Sequence, residues 1–199
     1  MTETASRSTI AGAAGAVHAR RRTATLDWGA IDALALGTLQ DRALLREVRR
    51  LERLELASVW TMTKRSLLRR RETQPAAVAP LEMHQRVLEG LGGESLLVSA
   101  SMFLDTLQET EHFFHLSFKT LKSKLGRTLD TAESELALRA ARAMTAAAEV
   151  LGSFETARRY MRTRNFALGG AMPMELLQTA EGERLVLNEL QAQADGGPL

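Results

Sequence analysis

The chain contains no cysteine, which excludes disulfide frameworks, thiolate nucleophiles and cysteine-ligated metals and suits a reducing cytoplasm. No apolar run approaches the ~20 residues of a membrane-spanning helix. The alanine-rich stretch Ala11 to Val17 lacks the preceding basic run of a secretion signal. A soluble, cytoplasmic chain with no membrane partner is expected. Valine and isoleucine are sparse and no alternating run marks a strand. Walker loop, dinucleotide fingerprint, nucleophile elbow and zinc helix are also missing, so the chain reads as a non-enzyme without a cofactor.

What is present is helical pattern. The 199 residues suffice for one sizeable domain or two small ones. Met1 to Thr25 consists of Ala, Thr, Ser and Arg with almost nothing large to bury, and is expected to be disordered. From Thr38 to Arg71 there is no Pro or Gly. Leu44, Val48, Leu51 and Leu54 recur at helical spacing, while Arg42, Arg46, Arg49 and Arg53 form another stripe. One long basic helix is expected there. Gln74-Pro75-Ala-Ala-Val-Ala-Pro80 breaks it, because proline removes a donor and disfavours helix at the residue before it. Residues 1–74 carry 14 Lys/Arg against 8 Asp/Glu, whereas 75–130 carry 5 against 7 and 131–199 carry 7 against 9. Basicity is thus concentrated at the start.

Beyond the break, Leu81 to Leu91 is a helix stopped by Gly92-Gly93, and a second runs from Glu94 to Leu107. Two short pieces follow, Glu109 to Phe114 and Phe118 to Leu125, joined by His115-Leu116-Ser117 and closed by Gly126. Pieces too short to be stable alone, joined by a tight turn, read as a helix-turn-helix. Asp130-Thr-Ala-Glu133 has capping-box form, with the Glu side chain reaching back. Leu136, Ala140, Ala143, Ala147 and Val150 stripe the next helix, which Gly152 ends. Ser153 caps a helix to about Arg164, Leu168-Gly-Gly turns the chain, Pro173 starts a short helix through Gln178, and Thr179 caps the last, to about Ala194. The fold expected is all-α. Its segments are a disordered start (1–25), a basic helical extension (26–74), a helix-turn-helix domain (81–130) and a small C-terminal helical domain (131–199).

Two groups of residues carry candidate chemistry. From Phe118 to Leu129 the charged side chains are Lys119, Lys122, Lys124 and Arg127, all basic, and Ser117 and Thr120 add hydroxyls at the helix start. A second helix of such a motif delivers cations and hydroxyls to DNA phosphates and base edges; a solvated basic helix in a structural bundle has the same local pattern. His112 and His115 have ligand spacing, but zinc needs three or four ligands and only Glu109 and Glu111 are close in sequence, so no metal site is assigned. Phe113, Phe114 and Phe118 are read as packing. Met172 and Met174 flank Pro173 as core filling or an adaptable apolar surface.

The residues from Leu116 to Gly196 resemble the Xre/MbcA/ParS antitoxin family. The features that carry the resemblance are LSFKTLKSKLG, LDTAES before a helix, and AAEVLGSFETARRYMRTRNFALGGAMPMELLQTAEGERLVLNEL. The most specific is N-x-A-L-G-G-x-x-P-x-E-L-L-x-T-x-x-G in fixed order. The resemblance implies an antitoxin whose C-terminal domain binds a RES-domain toxin, an enzyme acting on NAD, and whose DNA-binding segment represses its own operon, as a homodimer within a toxin–antitoxin hetero-oligomer. Toxin binding then falls on Asn165, Ala167, Leu168, Gly169, Gly170, Pro173, Leu176, Leu177, Thr179 and Gly182, and DNA binding on Ser117, Lys119, Thr120, Lys122 and Lys124. Leu176 and Leu177 also suit the antitoxin's own core. The basic extension lies outside this resemblance and reads either as a further DNA or complex contact or as a solvated self-association helix. Two other classes compete: a stand-alone helix-turn-helix regulator whose C-terminal domain only dimerises, and a metalloenzyme centred on His112 and His115.

Overall fold

The computed structural model describes residues 25–73 and 76–196. Its elements in chain order are α1 (Trp28–Leu39), α2 (Arg42–Arg49), α3 (Leu56–Thr73), α4 (Pro80–Glu89), α5 (Glu94–Ser101), α6 (Leu107–Phe114), α7 (Phe118–Lys124), α8 (Thr131–Leu151), α9 (Phe154–Met161), a 3-10 turn (Phe166–Leu168), α10 (Pro173–Leu176) and α11 (Ala180–Ala194). Among the described residues no strand forms, and one isolated bridge pairs Gly92 with Thr128. The all-α expectation is met. The stretch expected to be disordered lies, as far as Ala24, outside the described residues, as do Gln74 and Pro75 of the expected break.

Local chemistry sets most helix starts. Asp27, Asp41, Thr106, Ser117, Asp130, Ser153 and Thr179 each accept a first-turn N–H, a contribution of about 1 kcal/mol per helix. Helix α8 organises the packing. Its buried Ala137, Ala140, Ala141, Ala143 and Ala147 present little bulk, so neighbouring helices approach its axis closely. Helices α1, α4, α5, α9 and α11 all pack on it. The resulting apolar cluster is continuous from Leu26 to Leu190 and crosses the expected 130/131 boundary.

Several local expectations are corrected. The single helix expected from Thr38 to Arg71 is interrupted twice, and only Leu56–Thr73 survives as a long basic helix. The first interruption is Asp41, 5% exposed, whose carboxylate caps α2 and accepts the Ser66 hydroxyl at 2.6 Å. Arg69 also bonds it. Buried so deeply, the carboxylate fits a cap that tethers α2 to α3 and not a place inside a continuous helix. The run expected to reach Leu107 ends at Ser101, because Thr106 and Glu109 form a capping box that starts α6 afresh. At α8 only half of the expected box forms. Asp130 accepts the Glu133 amide at 2.9 Å, but the Glu133 side chain is taken by Lys124 at 2.6 Å. Helix α9 ends at Met161, before Arg164, and α10 is a single turn ending at Leu176.

Candidate functional site

The segment after α9 is held by one asparagine. The Asn165 side chain accepts the Ala167 amide at 2.8 Å and donates to Glu189 of α11 at 3.1 Å. Its carbonyl accepts the Gly170 amide at 2.9 Å, and its own amide donates to Ala171 at 3.0 Å. Glu189 also accepts the hydroxyl of Tyr160, and burial, reinforced by that carboxylate, pushes the Tyr160 hydroxyl far above an ordinary phenol pKa. The loop is thereby clamped to α11 and to the end of α9.

Gly169 and Gly170 follow with φ of 67° and 82°. Nothing lies within 4 Å of a Cβ built at either, so the demand for glycine there is conformational and not a matter of room. At Gly182 the demand is reversed. A Cβ would sit 1.9 Å from the Leu176 carbonyl oxygen, so glycine lets α11 start hard against α10. Thr179 caps that start by accepting the Gly182 amide at 3.0 Å.

The ten residues carried over from the resemblance therefore divide by position. Leu177 is fully buried and Pro173 and Gly182 are buried, as parts of the chain's own packing. Leu168 and Leu176 are half-buried against the core. Ala167, Gly169 and Thr179 are exposed, and Asn165 and Gly170 are half-buried. Between Asn165 and Ala167 stands a residue that the sequence reading passed over: Phe166 is 98% exposed, the most exposed of the large apolar side chains among the described residues. It occupied an unspecified position of the motif, and a lone aromatic in a loop carries no pattern that signals exposure.

The two short helices α6 and α7 are joined through His115, which lies in the left-handed region at φ 52°. Ser117 caps α7 and lies 2.9 Å from the Thr120 hydroxyl. Lys119 and Lys122 are exposed, whereas Lys124 is tied to Glu133 at 2.6 Å and is only a quarter exposed. The His112 and His115 rings lie 6.2 Å apart, and among the described residues no group of three or more His, Cys, Asp or Glu is placed to hold a metal. None of the described helices is long and apolar enough to cross a membrane.

The two regions touch. Arg162, the residue after α9, bonds Glu109 of α6 at 2.8 and 3.2 Å and the Phe103 carbonyl at 2.8 Å. That guanidinium, with the Asp105 and Thr106 amides, holds the Glu109 carboxyl down at about 2. Gln178 donates to the Phe113 carbonyl at 2.9 Å. Neither partner of these contacts was paired by sequence spacing, since each lies more than fifty residues from the other.

Comparison with curated proteins gives no match. Comparison with protein families gives one for residues 146–196, from within α8 to the end of α11, a span that contains the Asn165 turn, both glycines, α10 and the start of α11. The match supports an antitoxin role and a toxin protein as partner. Residues 146–196 match the family described as the antitoxin Xre/MbcA/ParS C-terminal toxin-binding domain.

Proposed function

We propose that the chain is a non-enzymatic antitoxin that binds a RES-domain toxin, occludes its NAD cleft with the C-terminal helices and tail, and represses its own operon through the helix-turn-helix. In this reading 131–199 is the toxin-binding segment, 81–130 the DNA-binding one and 26–74 a basic extension, and the chain dimerises within a toxin–antitoxin hetero-oligomer in the cytoplasm. Occlusion requires complementary shape and a few anchors, not catalytic groups.

Phe166 is the observation that carries the reading. It projects from a turn fixed by Asn165 and two positive-φ glycines, inside the segment matched as toxin-binding. A rigidly presented aromatic loses little conformational freedom when a partner's pocket receives it, as binding hot spots require. Ala167, Leu168, Gly169, Leu176 and Thr179 are assigned as further toxin contacts in this reading. Asn165, Gly170, Pro173, Leu177 and Gly182 hold the shape. On the DNA side Lys119 and Lys122 contact phosphate, with Ser117 and Thr120 as backbone donors and Lys124 as a secondary cation.

Co-expression with the RES-type enzyme of the adjacent reading frame, followed by pull-down and an NAD-consumption assay, tests the proposal. The full chain is expected to co-purify and suppress NAD loss. Phe166→Ala is expected to weaken binding by about 2 kcal/mol, roughly thirtyfold in Kd. Unchanged toxin affinity for that variant would remove the anchor, and absence of any complex would remove the toxin.

A further inference from the structure

The basic extension splits into two electrostatically different halves. On α3 the cations are neutralised within the fold: Lys64, Arg65, Arg69 and Arg71 pair with Glu155, Glu47, Asp41 and Glu149. On α2 and the turn after it, Arg42, Arg46, Arg50 and Arg53 are exposed and pair with no carboxylate among the described residues. A self-association helix would gain from the first arrangement. The second leaves four cations facing solvent with no paired carboxylate among the described residues, a charge distribution complementary to a polyanion.

The position of the stripe says which polyanion. Arg49, in line with Arg42 and Arg46, bonds Glu94 at 2.5 Å. Glu94 is 1% exposed, and the same carboxylate oxygen accepts the Gly126 amide at 2.8 Å. One buried carboxylate therefore joins the end of α2 to the turn that closes α7. A Cβ built on Gly126 would lie 3.5 Å from the Arg49 guanidinium carbon, which shows how closely the two elements abut. On α7 and the turn after it, Lys119, Lys122 and Arg127 are likewise exposed and without carboxylate partners among the described residues. From Arg42 to Arg49 the stripe runs about 10 Å along the helix.

We infer that α2 is a second contact for duplex DNA, its arginine stripe gripping backbone phosphates beside the groove that α7 enters. This rests on the DNA-binding reading of α7. The guanidinium fork suits phosphate oxygens, and each phosphate neutralised releases condensed counterion, so α2 adds affinity and salt dependence without adding sequence discrimination.

The test is a mobility shift of the full chain on a duplex carrying its own upstream region, and on an unrelated duplex of equal length, across a salt series. Arg42→Gln/Arg46→Gln/Arg50→Gln is expected to lower the slope of log Kobs against log salt by about 2 to 3 units on both duplexes, with circular dichroism unchanged. The corresponding triple Lys variant, which keeps the charge, is expected to restore most of the slope. Lys119→Gln/Lys122→Gln serves as the independent probe of α7. If it weakens binding while the α2 triple leaves slope and affinity intact, the inference about α2 is overturned and the α7 reading stands. If the parent binds neither duplex, both fall together. Intact DNA binding with weakened toxin binding in the α2 triple would overturn the inference in favour of an acidic protein surface as the partner.

Discussion

Arg142 of α8 donates to Asp32 of α1 at 2.6 Å, across 110 residues of sequence, and to Glu183 of α11 at 2.9 Å. One guanidinium thus joins a helix near the start of the chain to the last helix of the toxin-binding segment. Burial alone would favour its neutral form, but the charges of Glu183 and Asp32 hold it protonated. Arg142→Met would leave Asp32 without its cation and Glu183 with Arg139 alone, at 3.5 Å, in a mostly buried site. A loss of about 2 to 4 kcal/mol is expected, read as a lower urea midpoint. Asp32→Asn, which removes one charge and keeps the packing, is expected to cost less. An unchanged midpoint for Arg142→Met would show that α1 is not fastened to α11 through this residue.

Acid sensitivity is expected to reside partly in Glu109. Its folded pKa of about 2 lies below the ordinary carboxylate value because the Arg162 side chain bonds it, aided by the Asp105 and Thr106 amides against a smaller opposing effect of burial. A depressed pKa means the contribution is fully present above about pH 4.5 and is lost as pH falls toward 2. Glu109 is about a third exposed, so solvent screening reduces that contribution to about 1 kcal/mol. Glu109→Gln should lower the thermal midpoint near neutrality and differ little from the parent near pH 2. A gap that stays constant across that range would mean that the ion pair contributes nothing.

Asp41 behaves in the same sense. Burial would raise its pKa, yet bonds from the Ser66 hydroxyl and the Leu44 and Ala43 amides, with the Arg70 charge, hold it below the ordinary value. Asp41→Ala removes a cap and strands Ser66, so a loss of about 2 to 3 kcal/mol is expected. Asp41→Asn keeps the cap and should recover part of it. The comparison by chemical denaturation separates capping from charge.

Why some of this could be read from sequence and some could not follows from the range of each interaction. Ser117, Ser153 and Thr179 bond amides three residues away, so a short window contains the whole cause of those helix starts. The interruption at Asp41 depends on Ser66, 25 residues on, and an unbroken apolar stripe gave no sign of it. Glu133 had a legible local partner and a better distant one in Lys124. At the Asn165 turn the positive φ of Gly169 and Gly170 is local and was legible as a glycine pair. The exposure of Phe166 and the grip of Glu189 on Asn165 exist only once α11 folds back. The paired cations of α3 and the unpaired ones of α2 are alike in composition and separate only in three dimensions.

The glycine pair gives the sharpest separation of the two proposed activities. Both residues have positive φ, which a side chain penalises by roughly 1 to 2 kcal/mol each, and valine adds the stiffness of a branched Cβ. Because nothing lies near either Cβ position, Gly169→Val/Gly170→Val should disturb the turn without forcing apart the core beneath it. The displaced turn carries Phe166 away from its presented position, whereas α7 and α2 are fixed by Glu94, Lys124 and Glu133, none of which touches the turn. Toxin neutralisation is therefore expected to fail while helix content and DNA binding persist. Gly182→Ala provides the contrast, since its Cβ would strike the Leu176 carbonyl oxygen and should lower the thermal midpoint as well as toxin binding. Circular dichroism, DNA mobility shift and growth rescue on both variants decide the matter. A glycine-pair variant that stays folded and rescues growth like the parent would show that the turn does not present the toxin-binding surface.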